Sequence, residues 1–263
     1  MKILITIPQI EMMGGVANYY KVLQSYLPSG VDYFTACRRE GENVIQLPLR
    51  MRADYKKFKK LVAEYDIVHL NPSLAFNAII RDGLFLRAAK KQGKKVVVFI
   101  HGWDLNFEKK LRARGLWLFR KYYFQADAFI VLADQFKVSL REMGYAGPVY
   151  LETTTVDDRV LDYYHVQDEV DEKKFKVLFL SRVEKNKGIY EAINACKLIN
   201  EKHEVVSLMI AGDGAELADA KEYVSTEKIR CVNFAGYVRG DAKYQLLNWA
   251  DCFLFPSHHG EGM

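Results

Sequence analysis

The chain has 263 residues, half of them hydrophobic and 27% charged, with a formal net charge of +5. That length supports two domains, each with its own core, and that composition excludes wholesale disorder. The longest clean apolar runs, Val96 to Ile100 and Ala128 to Ala133, are far too short to span a bilayer.

The chain opens on MKILITIPQ, one lysine and a short apolar run without a small-residue cleavage site. This predicts a first β-strand over 2–7 and not a signal peptide. Further strands are predicted at 31–36, 44–48, 66–70, 95–101, 127–132 and 148–152, and a second series at 176–181, 205–211, 231–236 and 252–256. Helical patterns lie near 15–27, 54–64, 74–92, 106–125, 134–143, 187–202, 215–226 and 240–250. Such alternation implies mainly parallel sheets with helices on both faces. Between the two series, DDRVLDYYHVQDEVDEKK lacks sustained apolar periodicity and reads as a linker. The domains are therefore expected at 1–157 and 175–263, with the linker over 158–174. The second series has four strands, where a doubly wound domain usually has five or six. This domain is therefore expected to be incomplete, truncated at its C-terminal end.

Charge is uneven along the sequence. Residues 1–160 hold 25 Lys and Arg against 16 Asp and Glu, and the remainder 13 against 17. The basic half could face anionic lipid or an anionic substrate, or simply present solvated helix faces. The four cysteines are scattered with no C-x-x-C, as expected of free thiols in a cytoplasmic protein.

Five constellations could carry chemistry. In KVLFLSRVEKNKGIYEAI a β run ends in Arg182, and Lys187 and Gly188 then lead into a helical pattern. Two cations at a strand-to-helix junction suit a diphosphate, whose charge grows as its bond to a sugar breaks. Gly14 and Gly15 open a helix after the first strand and allow close backbone approach to a ligand. Gly212-Asp213-Gly214 follows the strand at 205–211 and would line the same crevice, with Asp213 able to bond a ligand. The final segment PSHHGEGM places Glu261 just after a strand, where a carboxylate could accept from sugar hydroxyls; His258 and His259 lack further ligands for zinc. His101, in VVVFIHGWD, ends a strand and could contact a sugar or an acceptor hydroxyl, with Asp104 three residues on; His69 has the same placement and a weaker case. For each feature taken alone, an ordinary turn or a satisfied structural histidine remains open. There is no Asp-x-Asp, Walker sequence or G-x-S-x-G.

In order, MMGGVANYY, VVVFIHGWD, VLADQFKVSLREMGY with TTTVD, FLSRVEKNKG, MIAGDGAEL, VNFAGYV and ADCFLFPSHHGEGM make the protein resemble a family 4 glycosyltransferase of the GT-B type. The resemblance implies an α/β fold of two Rossmann-like doubly wound domains facing a cleft. It implies a nucleotide-sugar donor, UDP- or GDP-linked, and transfer with retention, without a metal or other cofactor. By position, Arg182 and Lys187 would bind the diphosphate, Gly14 and Gly15 would approach the phosphates or sugar, and His101 would sit beside the transferring sugar. Glu261 would match the first carboxylate of the family's Glu, seven residues, Glu signature, whose second Glu would fall past Met263. Gly236 and Tyr237 would pass near the nucleobase, and Gly212 and Asp213 would line the cleft wall. In NFEKKLRARGLWLFRKYYFQ, basic residues mix with Leu111, Leu116, Trp117, Phe119, Tyr122 and Tyr123. That mixture suits a membrane surface, or a helix whose aromatics pack on the sheet while its basic residues are solvated.

The resulting expectation is a cytoplasmic hexosyltransferase acting on a glycan or lipid-linked acceptor in cell-surface polysaccharide or glycolipid synthesis. Peripheral contact with the inner face of the membrane is open to the basic half, and nucleic acid is not an expected partner. Two alternatives stay open: a nucleotide-sugar epimerase on the same fold, and a non-catalytic nucleotide-sugar-binding protein or inactive fragment.

Overall fold

A computed structural model describes residues 1–11, 14–36, 47–163 and 174–258. The protein divides into two α/β units, Met1–Val156 and a second beginning at Asp157.

The first unit is built on a six-stranded parallel sheet: β1 (Ile3–Ile7), β2 (Val31–Thr35), β3 (Ile67–Leu70), β5 (Lys95–Ile100), β7 (Ala128–Val131) and β8 (Val149–Leu151), in the spatial order β2-β1-β3-β5-β7-β8. A two-stranded parallel ladder, β4 (Ser73–Leu74) with β6 (Gly102–Trp103), extends the loops after β3 and β5 and was not predicted. Successive strand residues face opposite sides, so the sheet needs cover on both. Ile5 and Ile7 pack with Tyr20 of α1 (Gly15–Leu23). Leu4, Val68, Val98 and Phe129 pack against residues of α2 (Leu47–Leu61), α3 (Phe76–Lys91), α5 (Leu116–Tyr123) and α6 (Asp134–Glu142). Because β2 and β3 flank β1 on opposite sides, the strand order reverses direction across the sheet at β1, which opens a crevice at the carboxyl ends of β1 and β3.

One expectation needs correction. Residues 44–46 of the strand predicted at 44–48 lie outside the described residues, and Leu47 and Pro48 begin α2. Proline in a first helical turn gives up an N–H that would have no partner there, and LRMRADYKKFKKL continues with good helix formers. The helix predicted over 106–125 is present as one continuous helical run: α4 (Leu105–Lys110), a π-helical stretch (Leu111–Gly115) and α5. Its side chains divide: Leu111, Phe119 and Tyr123 are buried, while Trp117 is exposed.

The second unit has a four-stranded parallel sheet among the described residues: β9 (Phe175–Leu180), β10 (Val206–Ala211), β11 (Val232–Gly236) and β12 (Cys252–Phe253), in the order β11-β10-β9-β12. Its core joins Val177, Phe179, Leu208 and Ile210 to Ile189 and Ile193 of α7 (Ile189–Asn200) and Ala220 of α8 (Leu217–Thr226). Part of the predicted linker is ordered on this unit. Residues Asp158–Tyr163 form a 3-10 helix, and Tyr163 packs against Tyr244 of α9 (Asp241–Trp249) at a centroid distance of 5.1 Å. Here the first strand, β9, lies between β10 and β12, so the crevice forms at the carboxyl ends of β9 and β12.

Candidate active site

On the second unit, the loops after β9, β10 and β12 form one continuous floor. Val183 N–H donates to the Asp213 carbonyl (3.0 Å), Glu216 N–H to the Val183 carbonyl (3.0 Å) and His258 N–H to the Asn186 carbonyl (2.8 Å). Gly212 N–H donates to the Gly236 carbonyl at the end of β11 (2.7 Å). A Cβ on Gly212 would collide with the Ser181 carbonyl oxygen, and one on Gly188 with the Pro256 carbonyl. These glycines are what lets the loops close on one another. Arg182, Lys187, Gly212, Asp213, Gly236 and Tyr237 thus all lie at the carboxyl edge of one sheet.

Their environments differ. Lys187 ends a single 3-10 turn (Lys185–Lys187), directly before Gly188 at φ +78° and the start of α7. It is 6% exposed, with its ammonium 5.7 Å from the Phe255 ring centroid. An ammonium beside a helix N-terminus adds to the positive potential of that end, which suits an incoming anion. Arg182 is exposed and donates from Nη1 to Glu184 Oε1 at 2.7 Å. An exposed pair of this kind is worth about 1 kcal/mol or less, so an incoming anion can displace Glu184 cheaply. The Asp213 carboxylate accepts from the Gly214 N–H (2.8 Å), tightening the loop. Tyr237 is exposed. His258 Nε2 lies 3.1 Å from Glu191 Oε1 of α7, a pair not anticipated from the sequence. Glu261 lies outside the described residues. Among the described residues, no group of three His, Cys, Asp or Glu could hold a metal ion.

On the first unit, a buried cluster sits at the carboxyl ends of β1, β3 and β5. Gly14 caps α1 at φ +155°, and a Cβ on Gly14 or Gly15 would meet nothing within 4 Å. No neighbouring protein atom therefore requires Gly15 to be bare. One turn on, Tyr20 O–H donates to Asn71 Oδ1 (2.8 Å), which also lies 2.9 Å from His101 Nε2. His69 Nε2 is 3.3 Å from the Tyr20 hydroxyl. The His101 ring lies over Phe99 at a centroid distance of 3.7 Å, with the edge of Tyr19 at 5.1 Å. Asp104, three residues past His101, caps α4, accepting from the Asn106 and Phe107 N–H groups. A cavity of 280 Å³ elsewhere on this unit, between α2 and α3 and lined in part by Tyr55, Arg81 and Leu84, touches none of these residues.

Burial, with His69 nearby, pushes His101 down to about 3. Burial also pushes His69 down to about 4, against the opposing effect of its hydrogen bonding toward Asn71. Both imidazoles are neutral at neutral pH. As pH falls, the unfolded protein takes up these protons first, near 6.5, while the folded unit does not. Stability is therefore full above about pH 6.5 and is lost on acidification toward the folded values, at up to about 1.4 kcal/mol per pH unit for each histidine. Urea unfolding of the first unit at pH 7, 6 and 5 should show this decline, and equal stability at pH 7 and 5 would contradict it.

The sequence profile described as Glycosyltransferase Family 4 matches residues 15–158, more than half of the chain. The chain belongs to glycosyltransferase family 4. A second profile, described as Glycosyl transferases group 1, matches residues 163–263. A glycogen synthase of Mycobacterium tuberculosis is 28% identical over 85 residues, 32% of this chain and 20% of that protein. The match thus spans a fifth of the length of this curated relative. Among solved structures, the lipopolysaccharide outer core galactosyltransferase WaaB aligns with a TM-score of 0.64 at 17% identity, over 98% of this chain and 74% of that one. An E. coli trehalose-6-phosphate protein bound with UDP-2-fluoro glucose aligns with a TM-score of 0.65 at 9% identity, over all of this chain and 79% of that one. The pneumococcal O-GlcNAc transferase GtfA, in complex with UDP and GlcNAc, gives 0.58 at 16% identity, over 80% and 41%. At such identities these likenesses show the shared fold of this family 4 member, two α/β units with parallel sheets.

Proposed function

We propose that this family 4 member is a retaining, metal-independent hexosyltransferase. It moves a sugar from a UDP- or GDP-linked donor to a glycan or lipid-linked acceptor in the synthesis of cell-surface polysaccharide or glycolipid. The observation that carries this reading is Lys187: a buried cation at the switch point of the second sheet, at the foot of α7. The UDP and UDP-sugar complexes among structures of the same fold support it. Lys187, Arg182 and the N–H groups opening α7 would stabilise the charge that gathers on the leaving diphosphate. The acceptor hydroxyl would attack on the face from which the diphosphate departs, and a phosphate oxygen would take its proton. Gly14 and Gly15 would approach the donor, Gly212 and Asp213 would line its site, and Gly236 and Tyr237 would border the base. Glu261 keeps the role implied by the family resemblance.

Incubating the protein with a panel of UDP- and GDP-sugars and mixed glycan acceptors, with and without EDTA, tests the reading. Transfer in EDTA with the donor's anomeric configuration kept is the expected result. Inversion, a strict need for a divalent ion, or acceptor-independent epimerisation would contradict it.

The protein would work in the cytoplasm, at the inner face of the membrane. No helix among the described residues is long and apolar enough to cross a bilayer. Trp117 and Leu118 of α5 are exposed beside Arg114 and Lys121, a combination suited to an anionic lipid surface. Trp117→Ser should then weaken co-sedimentation with phosphatidylglycerol vesicles several-fold at low salt; unchanged sedimentation would remove the membrane from the proposal.

A further inference from the structure

The hydrogen bonds around Asn71 fix the placement of every proton in its cluster. Asn71 is 6% exposed, and its Nδ2 lies 2.8 Å from the Thr6 carbonyl oxygen. A carbonyl only accepts, so the amide nitrogen must face Thr6 and Oδ1 must face the other way. There Oδ1 meets the Tyr20 hydroxyl at 2.8 Å and His101 Nε2 at 2.9 Å. An amide oxygen also only accepts, so both neighbours donate to it. Tyr20 has then used its one proton, and its oxygen can accept from His69 Nε2 at 3.3 Å. His69 then donates toward Tyr20 and Asn71, Tyr20 and His101 donate to Asn71, and Asn71 donates to Thr6.

We propose that Asn71, aligned by the Thr6 carbonyl and the Tyr20 hydroxyl, is a positioning residue that holds the His101 proton on Nε2, so that His101 meets substrate only as an acceptor, through Nδ1, and reads a hydroxyl. Nδ1 has no hydrogen-bond partner among the described residues, which leaves it as the ring's remaining acceptor. Phe99 beneath the ring and Tyr19 at its edge hold the plane in place. The titratable groups facing His101 are Tyr19 and Tyr20 from α1 and His69 from β3, and none of them supplies a negative charge near neutral pH. Burial keeps both histidines neutral and raises the Tyr20 phenol far above its ordinary value. A bare imidazole nitrogen cannot bond a diphosphate oxygen of a nucleotide sugar, which carries no proton near neutral pH and only accepts. His101 is thereby assigned to the sugar or acceptor side of the reaction and excluded from the diphosphate. The identity of that hydroxyl rests on the glycosyltransferase reading; the tautomer does not.

The test is a long-range proton–nitrogen correlation spectrum of the imidazoles in the 15N-labelled protein at pH 7. His101 is expected to show a protonated Nε2 and a bare Nδ1. Asn71→Leu should shift it to the other tautomer or a mixture. Asn71→Asp, a second variant should the leucine fail to fold, should raise the pH at which His101 takes up a second proton by at least one unit. A wild-type proton on Nδ1, or an unchanged tautomer and titration in the variants, would overturn the positioning role. Adding UDP-glucose should move the Nδ1 resonance, whereas sulfate, which carries no proton at pH 7, should not; a response to sulfate, or binding of UDP-glucose without a response, would overturn the hydroxyl assignment. A protein that bound no nucleotide sugar yet kept the Nε2–H pattern would overturn the hydroxyl assignment together with the functional reading, and would support the positioning role.

Discussion

Lys187→Met is expected to lower turnover by about 10²-fold or more at saturating donor, the scale seen when one preorganised charge-stabilising group is removed. Lys187 is 6% exposed in the turn before α7, and methionine keeps an unbranched side chain against Phe255 while removing the charge. Thermal unfolding of the variant, measured alongside turnover, separates loss of the charge from loss of the fold. Arg182→Ala should weaken the donor complex less, because its guanidinium is exposed and already shared with Glu184. Wild-type turnover in Lys187→Met, or an activity loss matched by a comparable loss of stability, would mean that the lysine serves packing and not charge.

Gly188→Ala should destabilise the second unit by roughly 2–4 kcal/mol. About 1–2 kcal/mol comes from placing a Cβ in the left-handed region, since Gly188 has φ +78°. The rest comes from overpacking, because the new methyl meets the Pro256 carbonyl, which is backbone and cannot rotate away. Gly236 is a useful control: it has φ +72°, but a Cβ there meets nothing within 4 Å. Gly236→Ala should therefore show the conformational cost alone. Hydrogen exchange of the β9 and α7 amides would report both changes locally. Equal effects of the two substitutions would show that the loop can retreat from Pro256, and that Gly188 is needed only for its dihedral angle.

The parallel α/β architecture was legible because it rests on local signals: short apolar runs such as KVVVFI and VSLMIA, each followed by a longer helical pattern. The positions of Lys187, Asp213 and His101 just past strand ends followed from the same signals, since a parallel sheet brings such ends to one edge. What the sequence could not show depends on partners far apart in it. Asn71 organises the first unit's cluster through Thr6, 65 residues earlier, and His101, 30 residues later. The only hint was an asparagine placed directly after the strand containing His69. The Arg182–Glu184 pair was nearer to legible, with one residue between charge and countercharge, but a loop's conformation decides whether such neighbours meet. The start of α2 was missed because Pro48 reads as a breaker unless the helix is known to begin there.

The most direct test of the account is to titrate UDP into the 15N-labelled protein in EDTA and follow the backbone amides. The account predicts saturable shifts concentrated from Arg182 through Ile189 and at Gly212 and Asp213, abolished or weakened at least tenfold in Lys187→Met. Shifts confined to other parts of the protein, or none at millimolar UDP, would contradict a diphosphate site at the switch point of the second sheet.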